Sequence, residues 1–145
     1  MSYPTEFDAA IIYSVVGSTR TILCGIENVT INETANTSDR FRRDCEKPGA
    51  IPRRGVKVNG IQWDITGSGV ANADTVATMK ALLGAHHDYE IDGIQYDGTD
   101  AGVVLGTFAG QAVMTAKNMN LQTGGDSTGE ITLAGENDLI WTPAA

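Results

Sequence analysis

Cysteine is scarce in this sequence, where Cys24 and Cys45 are the only two among 145 residues. Two thiols do not form the disulfide framework of small secreted domains, so we expect both to be reduced, with a disulfide between subunits as the alternative. Long apolar runs are also lacking, since none approaches the roughly 18 residues that span a bilayer. Acidic residues near the start argue against a signal peptide. These features predict a cytosolic chain.

Signatures of catalysis and metal binding are lacking as well. The glycine-containing segments match neither GxGxxG nor GxxxxGK[ST]. The two histidines, His86 and His87, are adjacent, and neighbouring side chains point to different sides in most backbones, so we interpret them as a solvated helix end. We therefore expect no catalytic site, no cofactor and no metal ion.

Glycine, by contrast, is abundant, with 17 residues that fall between short β-branched runs. This distribution is typical of strands joined by tight turns. The length predicts one domain over residues 1–145. Short apolar runs and period-two alternation predict strands at 9–16, 19–26, 28–34, 61–68, 88–95, 103–108, 111–121 and 129–135, before a short tail, DLIWTPAA.

A single helix is predicted over residues 73–84, ADTVATMKALLG. Asn72 is placed to cap its start, and Gly84 supplies its stop. One apolar stripe of this helix is expected to pack against the dry face of the strand at 61–68. The predicted core residues are Ile61, Trp63, Ile65, Val76, Met79, Leu82 and Leu83.

One short segment, RFRRDCEKPGAIPRRGVK at residues 40–57, is basic although the chain has a net charge of −8. With Asp44 and Glu46 counted, the segment carries +5 and the rest of the chain −13. Alternation stops around it, so we predict a long extended loop at about 35–57, of a kind that is usually functional or ordered by a partner. Its basic residues are Arg40, Arg42, Arg43, Lys47, Arg53, Arg54 and Lys57.

Three interpretations of this basic segment are open. It could dock on the acidic body of another copy, a head-to-tail contact that generates rings or filaments. It could be a solvated loop, or it could neutralise nucleic-acid phosphates. Self-assembly is favoured, because only one aromatic residue, Phe41, is interleaved with the cations and the rest of the chain would repel a polyanion.

An acidic row lies on the strand predicted at 88–95, where Asp88, Glu90 and Asp92 alternate and so share one face. Such pairs can perform acid–base chemistry, but on an exposed strand they are usually a solvated face. From the residues alone we interpret the row as a solvated face.

The order of these segments follows a recognisable plan. The strand NVTINET runs into a long polar loop, RRGVKVNGIQWDITGSGV returns as a strand, and NADTVATMKALLG forms the helix. Glycine-punctuated strands then continue to ITLAGENDLIW. In order and spacing, over roughly residues 20–140, the chain resembles the phage major tail (tail tube) proteins, a family shared with gene transfer agents and the inner tubes of contractile tails.

The resemblance implies a mainly β fold of two packed antiparallel sheets, like a sandwich or barrel, flanked by a helix. It implies hexameric rings that form a continuous β-barrel and stack into a hollow tube, which encloses the tape measure protein and conducts DNA to the host. The basic loop would reach an adjacent subunit or ring, and the acidic remainder would give a net negative lumen. The row of Asp88, Glu90 and Asp92 would either line this lumen or face the outer solvent, and the sequence leaves both open.

The same resemblance implies further partners, namely tail terminator and distal tail or baseplate proteins, and a sheath protein if the tail is contractile. DNA would pass without specific binding. The location would be the virion tail, after assembly in the host bacterial cytoplasm. Two alternatives remain: an inner tube of a secretion system or pyocin, and a small nucleic-acid-binding β-domain that uses the loop at 40–57.

Overall fold

The computed structural model describes residues 3–144, which divide into two compact units. The first unit contains the described residues up to 32 and from 63 onward, and the second contains Glu33–Gln62. None of the helices in the described part of the chain is long and apolar enough to span a membrane. The elements are β1 (Ala9–Val16), β2 (Thr19–Ile22), β3 (Ile26–Arg42), β4 (Arg53–Val70), a 3₁₀ turn (Ala73–Thr75), α1 (Val76–Leu82), β5 (His86–Gln95), β6 (Val103–Asn120) and β7 (Thr128–Pro143).

The prediction of a mainly β chain with one helix is confirmed, whereas the prediction of two packed sheets is wrong. All seven strands belong to one sheet in the order β2-β1-β5-β6-β7-β4-β3, with β2 and β3 at the two edges. The strand register shifts within β5 and β6. Because such bulges bend a strand and increase its twist, one continuous sheet can curve around a core.

The hydrophobic core lies on one face of this sheet and is completed by α1. Residues near both ends of the strand order, Ile12 on β1 and Ile26 on β3, belong to the same buried cluster. The other members are Leu23, Trp63, Ile65, Met79, Leu82, Tyr89, Ile91, Ala112, Met114, Ile131 and Leu133.

Three of the predicted core residues, Leu83, Ile61 and Val76, are not members of the buried core cluster. Leu83 is 47% exposed, because α1 ends at Leu82 and the backbone of Leu83 turns to an extended conformation with ψ at 123°. Ile61 is 79% exposed, and it belongs to the second unit, whose residues bury almost nothing. Val76 is half-buried. The helix predicted over 73–84 is shorter in the structure, because its first residues form the 3₁₀ turn and α1 covers only Val76–Leu82. The Asn72 side chain caps the 3₁₀ turn by accepting a hydrogen bond of 3.0 Å from the Asp74 amide, and Gly84, after the end of α1, has a φ of 75°.

The predicted loop at 35–57 is strand over most of its length. β3 continues to Arg42 and β4 begins at Arg53, which leaves only residues 43–52 between them. Alternation cannot reveal strands that bury neither face, and this part of both strands is exposed. Residues 138–143 of the segment predicted as a tail are likewise part of β7, which extends to Pro143 and pairs with β6, whereas residue 145 of that segment lies outside the described residues.

Candidate interaction surfaces

The second unit is a β-hairpin that carries the basic segment, and we call residues 33–62 the basic hairpin. Five of its seven cationic side chains line one open depression of about 380 Å³, whereas Arg43 and Lys47 lie outside it. Arg54 lies 4.0 Å from Asp39, both of them exposed. The structure thus brings together Arg40, Arg42, Arg53, Arg54 and Lys57.

The basic hairpin also exposes apolar side chains. Phe41 is 67% exposed and Ile51 is 87% exposed, and Val56, Val58 and Ile61 are exposed as well. A two-stranded hairpin without a buried face is marginally stable in water at best. This surface therefore has both the charge and the apolar area of a contact surface.

The acidic row of β5 lies on the face of the sheet opposite the core, which we call the second face. Tyr89 and Ile91, which alternate with the members of the row, are buried on the core face. The strand register brings acidic residues of β4 and β7 to the same face. In the first unit, six carboxylates share this face, and the guanidinium of Arg20 lies among them. They belong to Asp64, Asp88, Glu90, Asp92, Glu130 and Glu136.

Two members of the acidic row form a charge cluster around Arg20 of β2. The guanidinium donates to Glu90 at 2.6 Å and to Asp92 at 2.9 Å, and it lies 3.9 Å from the centre of the Tyr13 ring. Thr107 on β6 donates a further hydrogen bond of 2.8 Å to Asp92, which is only 5% exposed. The cluster joins β2, β1, β5 and β6 on the second face of the sheet.

The electrostatics of this cluster favour the charged pair. Burial by itself lowers the pKa of Arg20. The hydrogen bond to Asp92 and the charge of Asp92 raise this pKa, and they outweigh burial, so the pKa of Arg20 is above its ordinary value. Because the guanidinium offsets Glu90 and Asp92, Asp88 is the member of the row without an ion pair among the described residues. The row is therefore partly neutralised.

Arg20 was not predicted as a site residue. It is the one arginine outside the basic segment, which is a signal that the sequence does contain. Its partners are about seventy positions away, and a single strand pattern does not reveal such a contact.

The prediction that His86 and His87 form a helix end is wrong, because they are the first two residues of β5. His86 Nδ1 contacts Glu136 Oε1 on β7. Among residues 3–144, no group of three or more His, Cys, Asp or Glu side chains is placed to hold a metal ion.

Solved structures share the fold of this chain. A chain in the tail of an empty gene transfer agent particle, determined with C6 symmetry, is 17% identical with a TM-score of 0.67, over 91% of this chain and 94% of that one. A chain in the sheath-tube complex of an extracellular contractile injection system is 15% identical with a TM-score of 0.65, over 98% and 93%. The SPP1 tail tube is 7% identical with a TM-score of 0.61, over 97% and 80%. No family model and no curated protein matches the sequence.

The fold is therefore that of tail and tube proteins. The resemblance to tail tube proteins that the segment order predicted is confirmed at the level of the fold, over nearly the whole chain. The matched structures include a phage tail tube and a chain from a complex of a sheath with a tube.

Proposed function

We propose that this chain is the structural subunit of a hollow tail tube. Six copies form a ring, and rings stack into a tube that encloses a tape measure protein and later conducts DNA to the host. The observation that carries this proposal is the fold shared over 91% of the chain with a tail determined with C6 symmetry. The location that follows is the virion tail, after assembly in the cytoplasm of the host bacterium.

The open sheet supports assembly through its edges. β2 has four residues and β3 lies at the opposite edge, and neither edge is covered by another strand of the described chain. Exposed sheet edges are sites of pairing with other chains, and closure into a barrel removes them. Pairing between neighbouring subunits would therefore give a continuous β-barrel around the ring.

The acidic second face is proposed as the lining of the channel. In the first unit it carries six carboxylates, and Arg20 forms ion pairs with two of them. A negative wall repels DNA phosphates, whereas a basic wall would bind them through the release of counterions. Asp88, Glu90 and Asp92 would belong to this lining. Arg20 would neutralise part of their negative charge through its ion pairs with Glu90 and Asp92.

The basic hairpin is proposed as the contact with an adjacent subunit or ring. The hairpin carries seven cations, and the rest of the chain is acidic, so the hairpin of one copy would attract the body of another. Opposite charges speed the association of two chains and fix the register in which they bind. Because it buries almost no surface of its own, a partner is needed to order it. The terminator, the distal tail or baseplate proteins and, in a contractile tail, a sheath would bind the finished tube.

Charge reversal tests this proposal. We expect Glu at Arg42, Arg43, Arg53 and Arg54 to abolish assembly, because all four exposed side chains would then repel the acidic neighbour. Sedimentation should show the variant as a folded monomer, with an unchanged circular dichroism spectrum. Lysine at the same four positions keeps the charge and should preserve assembly. Unchanged tubes in the glutamate variant would contradict docking by the hairpin.

The convergence of five cations on one depression also supports a second candidate, a domain that binds nucleic acid. A domain of that kind should stay monomeric and retard DNA at low salt. The tube subunit should instead sediment as rings or fibres in the absence of nucleic acid. An inner tube of a secretion system or pyocin would assemble in the same way as a phage tube.

A further inference from the structure

An open groove of about 490 Å³ runs along the first unit, between the start of β1 and the first residues of β3. β1 pairs with β2 only over Tyr13–Val16, so within residues 3–144 no strand covers the outer edge of residues 9–11. β3 is an edge strand of the sheet. Two unpaired strand edges therefore border one groove.

The groove has an apolar floor and an acidic rim. The large apolar side chains that line it are Phe7, Val29, Ile31, Ile91 and Phe108. Asp8 and Glu27 are the charged residues that line it, and no Lys or Arg of the described chain does so.

Both rim carboxylates are available for a partner. Glu27 is exposed and forms no ion pair within the described residues. Asp8 uses one oxygen, Oδ2, to accept a hydrogen bond of 2.8 Å from the Tyr96 amide, which fixes its position on the rim. An adjoining cavity of about 590 Å³ shares these two residues and is also lined by Cys24.

We propose that this groove receives the tip of the basic hairpin of a second copy of the chain, with Phe41 on the apolar floor and the arginines beside it against Asp8 and Glu27. The proposal rests on the proposed function and names the surface on which the hairpin docks. Phe41 is 67% exposed and is flanked by Arg40, Arg42 and Arg43. Aromatic residues and arginines are the residue types that most often anchor interfaces.

Charge complementarity selects this occupant. The hairpin tip, residues 40–57, is the concentration of positive charge in a chain that is otherwise acidic, and the groove presents two carboxylates beside an apolar surface. Unpaired strand edges on both sides add backbone donors and acceptors for an extended segment.

The two native cysteines report on this contact. Cys45 lies four positions from Phe41 in the hairpin, Cys24 lines the cavity next to the groove, and both are exposed free thiols. A mixture of the Cys24→Ala and Cys45→Ala proteins, treated with a short bismaleimide, can join Cys45 to Cys24 only between two copies. We expect a crosslinked dimer in the mixture at about ten times its level in either protein alone.

Charge exchange identifies the groove as the acceptor. Glu27→Arg in the protein that retains Cys24 should lower the crosslink about tenfold, a loss of roughly 1.4 kcal/mol. Arg42→Glu in the protein that retains Cys45 should restore it when the two variants are mixed. Asp126→Arg, an equal charge change at an exposed turn residue outside the groove, should leave the crosslink unchanged.

Negative-stain imaging of the wild-type protein separates this inference from the proposed function. Tubes together with a mixture-specific crosslink support both. Tubes without that crosslink, or a crosslink insensitive to Glu27→Arg, overturn the groove as the docking surface and leave the tube standing. A crosslink without rings or tubes supports the contact and overturns the tube, and the absence of both overturns both.

Discussion

At the scale of single residues, Trp63 shows how glycine makes room for a large side chain. Its indole ring lies against the backbone of Gly110 on β6 and Gly135 on β7, and a Cβ at Gly135 would overlap the ring. The indole Nε1 donates a hydrogen bond of 3.0 Å to the carbonyl of Asn137, which has a φ of 57°. The side chain is 3% exposed, so one tryptophan fills a space prepared by residues from two other strands.

Substitutions at this site should be costly in both directions. Trp63→Ala leaves a cavity and should lower the free energy of unfolding by about 3–5 kcal/mol. Gly135→Ala overpacks the same space and should cost about 1–3 kcal/mol. Denaturant unfolding measures both values.

A matched control is Gly49→Ala, where a Cβ meets nothing within 4 Å and the change should stay within about 0.5 kcal/mol. In a Trp141→Phe background, only Trp63 contributes tryptophan fluorescence. Emission typical of a water-exposed indole would contradict the buried position of Trp63.

Tyr89 is a second residue with a measurable effect. Its side chain is 2% exposed, and its hydroxyl has no hydrogen-bond partner among the described residues. Burial raises its pKa to about 12 from an ordinary value of 10.0. Above pH 10 the unfolded chain therefore loses a proton that the folded chain retains, so stability should fall as the pH rises from 10 to 12.

Tyr89→Phe removes the unpaired hydroxyl and the titration together. We expect this variant to be more stable by about 1 kcal/mol at neutral pH and to lose part of the decline between pH 10 and 12. Thermal unfolding across that range measures both effects. Tyr96→Phe, at a side chain that is 71% exposed, is the control. Destabilisation by Tyr89→Phe at neutral pH would show that the hydroxyl has a partner.

At the scale of elements, the basic hairpin should change most on assembly. Amides that are exposed in a marginal hairpin open with a free energy near zero, so residues 33–42 and 53–62 should exchange rapidly with deuterium in the unassembled chain. Docking on a neighbour should slow them. Amides of β5 around Tyr89 and Ile91, in the core, should be slow in both states. Hairpin amides that stay fast in the assembled protein would exclude ordering by a partner.

The elements also show what the sequence could reveal. β1 has the predicted bounds, because an apolar run marks it, and the helix was found from its cap and stripe. Alternation identifies which face of a strand is dry, but strands of one curved sheet and of two packed sheets bury a face in the same way. The hairpin strands were missed because they bury neither face. The Arg20 cluster was missed because its contacts depend on the strand order.

At the scale of the whole molecule, charge is separated between two regions. The basic hairpin holds seven of the ten cations, and the face of the sheet opposite the core holds six carboxylates. One region suits a contact with an acidic neighbour, and the other suits a wall along which DNA moves without binding. A single chain thus has the charges for both assembly and passage, once the sheet edges close between subunits.

The most direct measurement is electron cryomicroscopy of the purified protein without nucleic acid. The account predicts six-fold rings that stack into tubes, with the second face of the sheet toward the channel and Asp88, Glu90 and Asp92 in its lining. Monomers only, or rings of another symmetry, would contradict the proposed assembly. A channel lined mainly by Arg and Lys would contradict the proposed lumen even if the rings were six-fold.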